Sequence, residues 1–121
     1  MRVIVTGSRR WTNLSAIRRE LVKLPQEAVI LHGDCAGADA LAAQVASELG
    51  LGSEAFDKTA EDHARHPQDA WKGLNERMLA SGADLVLGFH ADLNTAGQAL
   101  GTRHMLDLAQ QADVPVRAFV E

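Results

Sequence analysis

The sequence is poor in cysteine, proline and aromatic residues: its 121 residues include one cysteine, three prolines, no tyrosine and 4% aromatics in all. A lone cysteine cannot form an internal disulfide and suits a reducing compartment, so we expect a cytoplasmic protein. Scarce aromatics leave little material for the base-stacking surfaces that bind single-stranded nucleic acid. No apolar run approaches the roughly 18 residues of a membrane span, and the apolar run at the amino terminus is too short for a signal peptide. We therefore expect neither a membrane protein nor an exported one.

An excess of basic residues is also missing. Twelve Lys and Arg stand against 16 Asp and Glu, which gives a formal net charge of -4. Such a chain lacks the overall electrostatic attraction to nucleic acid or anionic membrane, so a nucleic-acid partner is not expected. The hydrophobic content of 46% is ordinary for a globular protein, and the length supports one core without disulfides or structural metal. We therefore expect a single domain over residues 1–121.

Short apolar runs alternate with longer segments of helical periodicity, which is the pattern of a parallel sheet covered by helices. Strands are predicted at 3–6, 28–32, 53–57, 85–89 and 116–119, the third being the least apolar. Helices are predicted over about 13–24, 37–49 and 68–81, and from about 101 to the residues before Pro115. Residues 58–67 show no periodicity and are predicted to be a long polar loop, either a functional lid or a solvated excursion.

The loop after the first predicted strand suits an anionic ligand. In an open parallel sheet, ligands lie beyond the carboxyl ends of the strands, where loops lead into helices. Gly7 permits close backbone approach, Ser8 offers a hydroxyl and Arg9 offers a bidentate donor. A phosphate or carboxylate fits this loop, although a tight turn with solvated arginines explains it equally well.

Two further loops combine glycines with helix starts. Gly33 and Gly37 flank the turn after the second strand, while Gly101 and Thr102 begin the last helix with Arg103 beside them. Backbone amides and the helix dipole at such starts attract anions, so both loops are candidate phosphate sites, with ordinary capped helices as the alternative. The spacing matches neither the dinucleotide-binding glycine motif nor the P-loop. The sequence therefore predicts three anion-binding loops along one edge of the sheet.

The titratable residues near these loops each have two interpretations. Asp39, in the first turn of the second helix, either accepts hydrogen bonds from ribose hydroxyls or caps free amides. His32 is interpreted as a structural histidine in preference to a ligand contact, and Cys35 lacks the neighbouring base that a nucleophile needs. His63 and His66 lack the companions of a metal centre, so no metal is expected.

The order of these motifs along the chain is that of a known superfamily. Thr-Gly-Ser-Arg-x-Trp follows the first strand, His-Gly-x-x-x-Gly-Ala-Asp follows the second, Asn-x-x-Met lies in the third helix and Gly-Thr begins the fourth. Together they resemble the SLOG superfamily (Smf/DprA and LOG proteins), in its small YspA-like branch. The resemblance covers almost the whole chain, and the matching positions are Thr6, Gly7, Ser8, Arg9, Trp11, His32, Gly33, Gly37, Ala38, Asp39, Asn75, Met78, Gly101 and Thr102.

The resemblance implies a Rossmann-like three-layer α/β/α fold with a five-stranded, mainly parallel sheet. It also implies a sensor or binding module for nucleotides or nucleotide-derived phosphorylated molecules at the carboxyl edge of that sheet, often as a homodimer; no resident cofactor is expected. Asp39 and Asn75 would contact ribose or base, with a bond to a neighbouring loop as the alternative for Asn75. The residues that would hold the anionic groups are Gly7, Ser8, Arg9, Gly33, Gly37, Gly101 and Thr102.

The resemblance also leaves two alternative functions open. LOG proteins are phosphoribohydrolases that cleave the N-glycosidic bond of nucleotides, and this chain has Met105 where their motif has a glutamate. Because a thioether cannot do acid–base work, hydrolysis or ribosyl transfer would depend on Asp39, the one candidate catalytic residue. The arginine that commonly precedes the helix-three asparagine is Leu74 here, so that contact is missing or supplied by Arg77. The DprA relatives imply the other alternative, a nucleic-acid or protein interaction module.

Overall fold

The computed structural model describes residues 1–121 and contains one sheet of five strands. Its strands are β1 (Arg2–Gly7), β2 (Val29–His32), β3 (Gly52–Ala55), β4 (Leu85–Phe89) and β5 (Val116–Phe119). Their spatial order is β3-β2-β1-β4-β5, and every neighbouring pair is parallel. The predicted parallel α/β architecture is therefore confirmed.

Five helices connect these strands. They are α1 (Leu14–Leu21), α2 (Ala38–Leu49), α3 (Ala60–Arg65), α4 (Ala70–Ala80) and α5 (Leu100–Gln111). The helices α1 and α2 pack on one face of the sheet and α4 and α5 on the other, which is the doubly wound arrangement of a Rossmann-like fold. None of the five combines the length and the apolarity that crossing a membrane requires.

The core lies on both faces of the central strands, because neighbouring side chains of a strand point to opposite sides. In β1, Val3 and Val5 pack against α1 and α2, while Ile4 packs under α4 and α5. In β4, Leu87 packs on the face covered by α1 and α2, and Val86 packs on the face covered by α4 and α5. All five side chains are buried, which explains why these strands have continuous apolar sequences.

The ends of several elements differ from the predictions by a few residues. The strand β3 covers 52–55 instead of 53–57 and lies at an edge of the sheet, where all four of its residues are exposed. Its weak apolar pattern follows from that exposure. The helix α1 ends three residues before the predicted end, since Lys23 and Leu24 donate their amides to carbonyls three residues back and tighten the last turn.

The prediction of a long polar loop at 58–67 is wrong, because this segment contains α3. Thr59 and Asp62 form a capping box, in which each side chain accepts a hydrogen bond from the other residue's amide, at 3.2 and 2.9 Å. The buried Asp62 carboxylate also accepts hydrogen bonds from Arg77 of α4, the shortest at 2.6 Å. A helix of six residues is too short to show periodicity, and it depends on this cap and ion pair for its stability.

The strand order places three loops at one crevice. β1 lies between β2 and β4, and the connections that follow β1 and β4 leave the sheet toward opposite faces. Such a switch point opens a space beyond the carboxyl ends of the strands. The loops that follow β1, β2 and β4 therefore border the same space, as predicted.

Candidate ligand-binding cavity

A cavity of about 520 Å³ lies beyond the carboxyl ends of β1 and β4. Its walls come from the loops after β1 and β2, from the first turns of α4, and from the segment that leads from β4 into α5. This volume is within the range of pockets that hold small organic ligands. The cavity therefore occupies the place where a doubly wound fold is expected to bind its ligand.

Most of the predicted ligand-binding residues meet at this cavity. The sheet brings them together from four segments of the chain, because parallel strands present their following loops at one edge. The ligand-binding role of each residue remains a prediction. Eight of the nine line the cavity, namely Gly7, Ser8, Arg9, Gly33, Asp39, Asn75, Gly101 and Thr102.

Gly37 is the exception, and it joins two loops instead. Its φ of +75° lies in the left-handed region, and an added Cβ would clash with the Ser8 carbonyl and lie 2.6 Å from the Arg9 carbonyl oxygen. The following amide, of Ala38, donates to the Ser8 carbonyl at 3.0 Å. Loop packing alone therefore requires this glycine, whether or not a ligand binds.

Gly7 and Ser8 connect the end of β1 to β4 and α2. An added Cβ at Gly7 would lie 2.7 Å from Ala38 Cβ and would clash with the Phe89 carbonyl. The Ser8 amide donates to that carbonyl at 2.8 Å, and the Ser8 hydroxyl accepts from the Arg10 amide at 2.9 Å. The hydroxyl keeps its own proton for a further hydrogen bond.

Asp39 is buried at the cavity and only partly hydrogen-bonded. Its Oδ2 accepts from the amides of Gly33 at 3.0 Å and Cys35 at 3.3 Å, which belong to the loop before α2, so Asp39 holds that loop and caps no amide of its own helix. Its Oδ1 accepts no hydrogen bond from the chain. Burial raises the pKa of Asp39 to about 6, an effect that the two amide bonds and Arg9 only partly offset.

Asn75 and Thr102 are two further buried polar side chains at the cavity. Asn75 Nδ2 donates to the Gly101 carbonyl at 3.2 Å and lies 3.1 Å from His104 Nδ1, so its amide bonds to the first turn of α5 and not to a loop. The Thr102 hydroxyl makes no hydrogen bond within the chain. No polar side-chain atom is both fully buried and unpartnered, so Asn75 Oδ1 and Thr102 Oγ1 are in contact with solvent.

The five helix starts fall into two groups. In α1 and α3, which begin outside the cavity, the side chains of Asn13 and Thr59 accept hydrogen bonds from helix amides. The starts of α2, α4 and α5 border the cavity and have no side-chain cap. The chain enters α5 through Ala99 with a φ of +57°, a conformation that alanine rarely adopts. The Ala38 amide donates to the Ser8 carbonyl, but other first-turn amides at these three starts remain available for solvent or an anion.

Two exposed cationic side chains, Arg9 and Lys58, line the cavity. Neither takes part in an ion pair with the chain. No group of three or more histidine, cysteine, aspartate or glutamate side chains is arranged to hold a metal ion. The lining also contains Asp39 and Asp69, of which Asp69 pairs with Lys72. An anion is therefore favoured only beside Arg9 and Lys58.

Arg77, Arg103 and Met105 lie outside the cavity and have structural roles. Arg77 pairs with Asp62 and does not line the cavity, which favours the alternative that the ligand contact of the family's arginine is missing. Arg103 donates to the Leu93 carbonyl at 3.0 Å and holds the segment before α5, instead of an anion. Met105 is fully buried in the core under α5. The position where LOG proteins have their glutamate is therefore closed to the cavity here.

His32 has the structural role expected of it, and Trp11 is a core residue. His32 is buried, its Nδ1 accepts from the Asp34 amide at 3.0 Å, and burial lowers the pKa of the ring. Trp11 is buried and packs edge to face on Phe89, with ring centroids 5.5 Å apart. Neither side chain lines the cavity.

Trp71, Lys58 and His90 line the cavity but were not singled out from the sequence. The Trp71 ring is half-buried and stands edge-on to His104, with ring centroids 5.4 Å apart. The sequence does place Trp71 in the first turn of its helix. Because helix starts in this fold lie near the ligand-binding edge of the sheet, that position is a signal that could have identified Trp71 as a cavity residue. Lys58 and His90 follow strands by one to three residues and carry a weaker form of the same signal.

The strand order and the cavity at the switch point define a doubly wound, Rossmann-like α/β protein. A family model described as the YspA, cpYpsA-related SLOG family matches residues 1–63, which contain the first two motifs. The Gene 61 protein of Mycobacterium phage D29 is 36% identical over 126 residues, an alignment covering 98% of this chain and 95% of that protein. The chain belongs to the YspA, cpYpsA-related SLOG family, and the resemblance inferred from the motifs is confirmed.

Two solved structures share this fold. DNA processing protein A (DprA) from Streptococcus pneumoniae matches with a TM-score of 0.74 and 19% identity, over 97% of this chain and 49% of the DprA chain. This chain therefore spans about half the length of DprA. The C-terminal domain of a Pyrococcus furiosus hydrogenase matches with a TM-score of 0.52 and 12% identity, over 98% of this chain and 89% of that domain. At these identities the similarity establishes the fold alone.

Proposed function

We propose that the protein is a binding module, or sensor, for a nucleotide or a nucleotide-derived phosphorylated molecule held in the cavity. The observation that carries this proposal is the contrast between the helix starts. The three that border the cavity lack side-chain caps, whereas the two outside it have them. A phosphate at the uncapped starts would accept hydrogen bonds from free amides and meet the positive ends of the helix dipoles.

The other walls of the cavity support a ligand with two chemically different ends. Arg9 and Lys58 provide charge for an anionic group. Trp71, Leu74 and Met78 of α4 provide an apolar surface that suits a planar ring. A phosphate and a base in one molecule match this division.

The proposal is tested by measuring ligand binding in wild type and in substitutions of two neighbouring arginines. Native mass spectrometry with nucleoside monophosphates, NAD, ADP-ribose and cyclic nucleotides identifies bound ligands and reports the oligomeric state, including the homodimer that we also propose. Arg9 lines the cavity, whereas the equally exposed Arg10 does not. We expect Arg9→Ala to weaken binding by about 10-fold or more and Arg10→Ala to leave it nearly unchanged.

Both substitutions are at exposed positions, so the free energy of unfolding should change by less than about 0.5 kcal/mol. That measurement separates loss of ligand contact from loss of structure. Unchanged binding in Arg9→Ala, or an equal loss in both variants, would reject this site.

Cleavage of an N-glycosidic bond, or ribosyl transfer, is a second candidate function that Asp39 alone favours. A buried carboxyl with a pKa of about 6 exchanges its proton near neutral pH, as a general acid or base requires. Chromatography of liberated base, with wild type and Asp39→Asn, tests this candidate. Release by wild type that disappears in Asp39→Asn while binding persists supports catalysis, and absence of release by wild type rejects it.

Interaction with nucleic acid is a third candidate, suggested by the fold shared with DNA processing protein A. The net charge of -4 argues against it. A mobility-shift experiment with single-stranded oligonucleotide at low salt decides the question. Retardation that falls steeply with added salt supports this role, and no retardation ends it.

A further inference from the structure

We propose that one wall of the cavity selects a ligand sugar with free hydroxyl groups, so that the protein prefers ribonucleotides to 2′-deoxyribonucleotides. This wall consists of Asp39, Asn75 and Thr102 and is named the acceptor wall. The inference rests on the proposed function and specifies which part of the ligand these three side chains contact.

The acceptor wall is buried yet incompletely hydrogen-bonded. Asp39, Asn75 and Thr102 are 6%, 7% and 4% exposed. Asp39 Oδ1, Asn75 Oδ1 and the Thr102 hydroxyl have no hydrogen-bond partner in the chain. Because no unpartnered polar side-chain atom is fully buried, these oxygens reach the solvent of the cavity that the three residues line. Buried oxygens of this kind are stabilised when a ligand supplies a donor.

The three side chains line one cavity, and two contacts relate the segments that carry them. An added Cβ at Gly33 would lie 3.2 Å from Asp39 Oδ2 and 3.3 Å from Leu74 Cδ2. The side chain of Asp39 in α2 and that of Leu74, which precedes Asn75 in α4, therefore flank the same glycine. The bond from Asn75 Nδ2 to the Gly101 carbonyl joins α4 to the first turn of α5. A sugar ring in this cavity would therefore be bordered by residues of all three helices.

The orientation of the Asn75 amide makes it an acceptor toward the cavity. The Gly101 carbonyl can only accept, so the amide must direct Nδ2 toward it. Nδ2 also lies 3.1 Å from His104 Nδ1, which accepts when that nitrogen is unprotonated. Burial lowers the pKa of His104 and favours the neutral ring. His104 is thus a positioning residue, and Oδ1 is left for the ligand.

A wall of this composition attracts hydrogen-bond donors and disfavours anions. An ionised Asp39 repels phosphate, and Asp39 lies in the first turn of α2, so the phosphate would lie at Arg9 and the uncapped start of α5. The hydroxyl groups of ribose are donors without charge and match the free oxygens of the wall. A 2′-deoxy sugar brings one donor fewer and leaves an acceptor unpaired, and sites built around such bonds discriminate strongly against the analogue that lacks the group.

Matched ligand pairs test the preference. Isothermal titration calorimetry on the full chain compares the four nucleoside 5′-monophosphates with their 2′-deoxy counterparts, and ribose 5-phosphate with 2-deoxyribose 5-phosphate. We expect the hydroxylated member of each bound pair to bind tighter by about 10-fold or more. Equal affinities within the bound pairs would overturn this inference and leave the proposed function standing. Binding of no member would overturn this inference, and the wider ligand pool used in the mass spectrometry would then decide whether the proposed function stands.

Two substitutions assign the preference to the acceptor wall. Thr102→Val removes a hydroxyl that has no partner in the chain and keeps the shape, while Thr102→Ser restores the hydroxyl. In Asp39→Asn, the amide oxygen still accepts from the Gly33 and Cys35 amides, and the amide nitrogen presents a hydrogen-bond donor to the cavity where the carboxylate presented an acceptor. The ribose-to-deoxyribose affinity ratio should fall about 3-fold or more in Thr102→Val and Asp39→Asn, and persist in Thr102→Ser. Thr12→Val, at an exposed position outside the cavity, is the control. A ratio unchanged in both Thr102→Val and Asp39→Asn overturns the inference.

Discussion

Two buried aspartates, Asp62 beside α4 and Asp39 at the cavity, have opposite electrostatic surroundings. Asp62 receives hydrogen bonds on both oxygens, and the Arg77 guanidinium holds the pKa of this carboxyl well below its usual range. Asp39 has no cation bonded to it, leaves one oxygen free, and has a pKa raised to about 6 by burial. The fully paired Asp62 carboxylate stabilises the packing of α3 against α4. An incompletely paired one keeps hydrogen-bonding capacity for a ligand.

Removing the cation beside Asp62 should have the largest effect. Arg77→Leu leaves a fully buried carboxylate without its partner, and we expect the free energy of unfolding to fall by about 3–5 kcal/mol. Urea unfolding near neutral pH measures this loss. Adding Asp62→Asn should recover part of it, because a neutral amide costs less to bury than an unpaired charge. A double variant no more stable than Arg77→Leu would show that the ion pair does not account for the loss.

The two aspartates should contribute opposite pH dependences. The pKa of Asp39 rises from 3.8 to about 6 on folding, so the folded state binds this proton more tightly and stability decreases as pH rises from about 4 to about 6. That difference corresponds to about 3 kcal/mol. For Asp62 the pKa is lowered on folding, so its contribution is present above 3.8 and is lost as pH falls below that value.

Unfolding of wild type and Asp39→Asn between about pH 3 and pH 8 separates these contributions. The stability of Asp39→Asn relative to wild type should increase between about pH 4 and pH 6 and stay level above that. If replacing the carboxylate also changes stability by an amount that does not depend on pH, the stability difference shifts by the same amount at every pH and its pH dependence is unchanged. A difference that stays constant over the whole range would contradict the raised pKa of Asp39.

The glycines beside the two aspartates offer a smaller comparison. An added Cβ at Gly73 would lie 2.6 Å from Asp62 Oδ1, which is held by Arg77, while one at Gly33 would lie 3.2 Å from Asp39 Oδ2. We expect Gly73→Ala to lower the free energy of unfolding by about 2 kcal/mol and Gly33→Ala by about 1 kcal/mol, because only the first displaces a fully paired group. Chemical denaturation compares the two. A larger loss of stability in Gly33→Ala than in Gly73→Ala would contradict this comparison, because it would show that Asp39 is held more rigidly than Asp62.

The strands and the ligand edge could be predicted because their signals are local. Val3 to Val5 and Leu85 to Leu87 are apolar at every position, as strands covered on both faces must be. Glycines and hydroxyl residues directly after such strands indicate the loops, and parallel pairing brings those loops to one edge. The prediction failed at α3, whose stability depends on Arg77, a residue outside the segment.

The amino-acid pattern thus determines the class of fold, the family and the edge of the sheet at which the candidate site lies, since periodicity and motif order are properties of the chain itself. Packing in three dimensions decides which polar groups remain free. Arg77 and Arg103 are both bonded within the chain, whereas Arg9 is not. Asp39 keeps an unpaired oxygen and Asp62 does not. Pairing depends on distances between elements far apart in sequence, and those distances exist only once the helices have packed on the sheet.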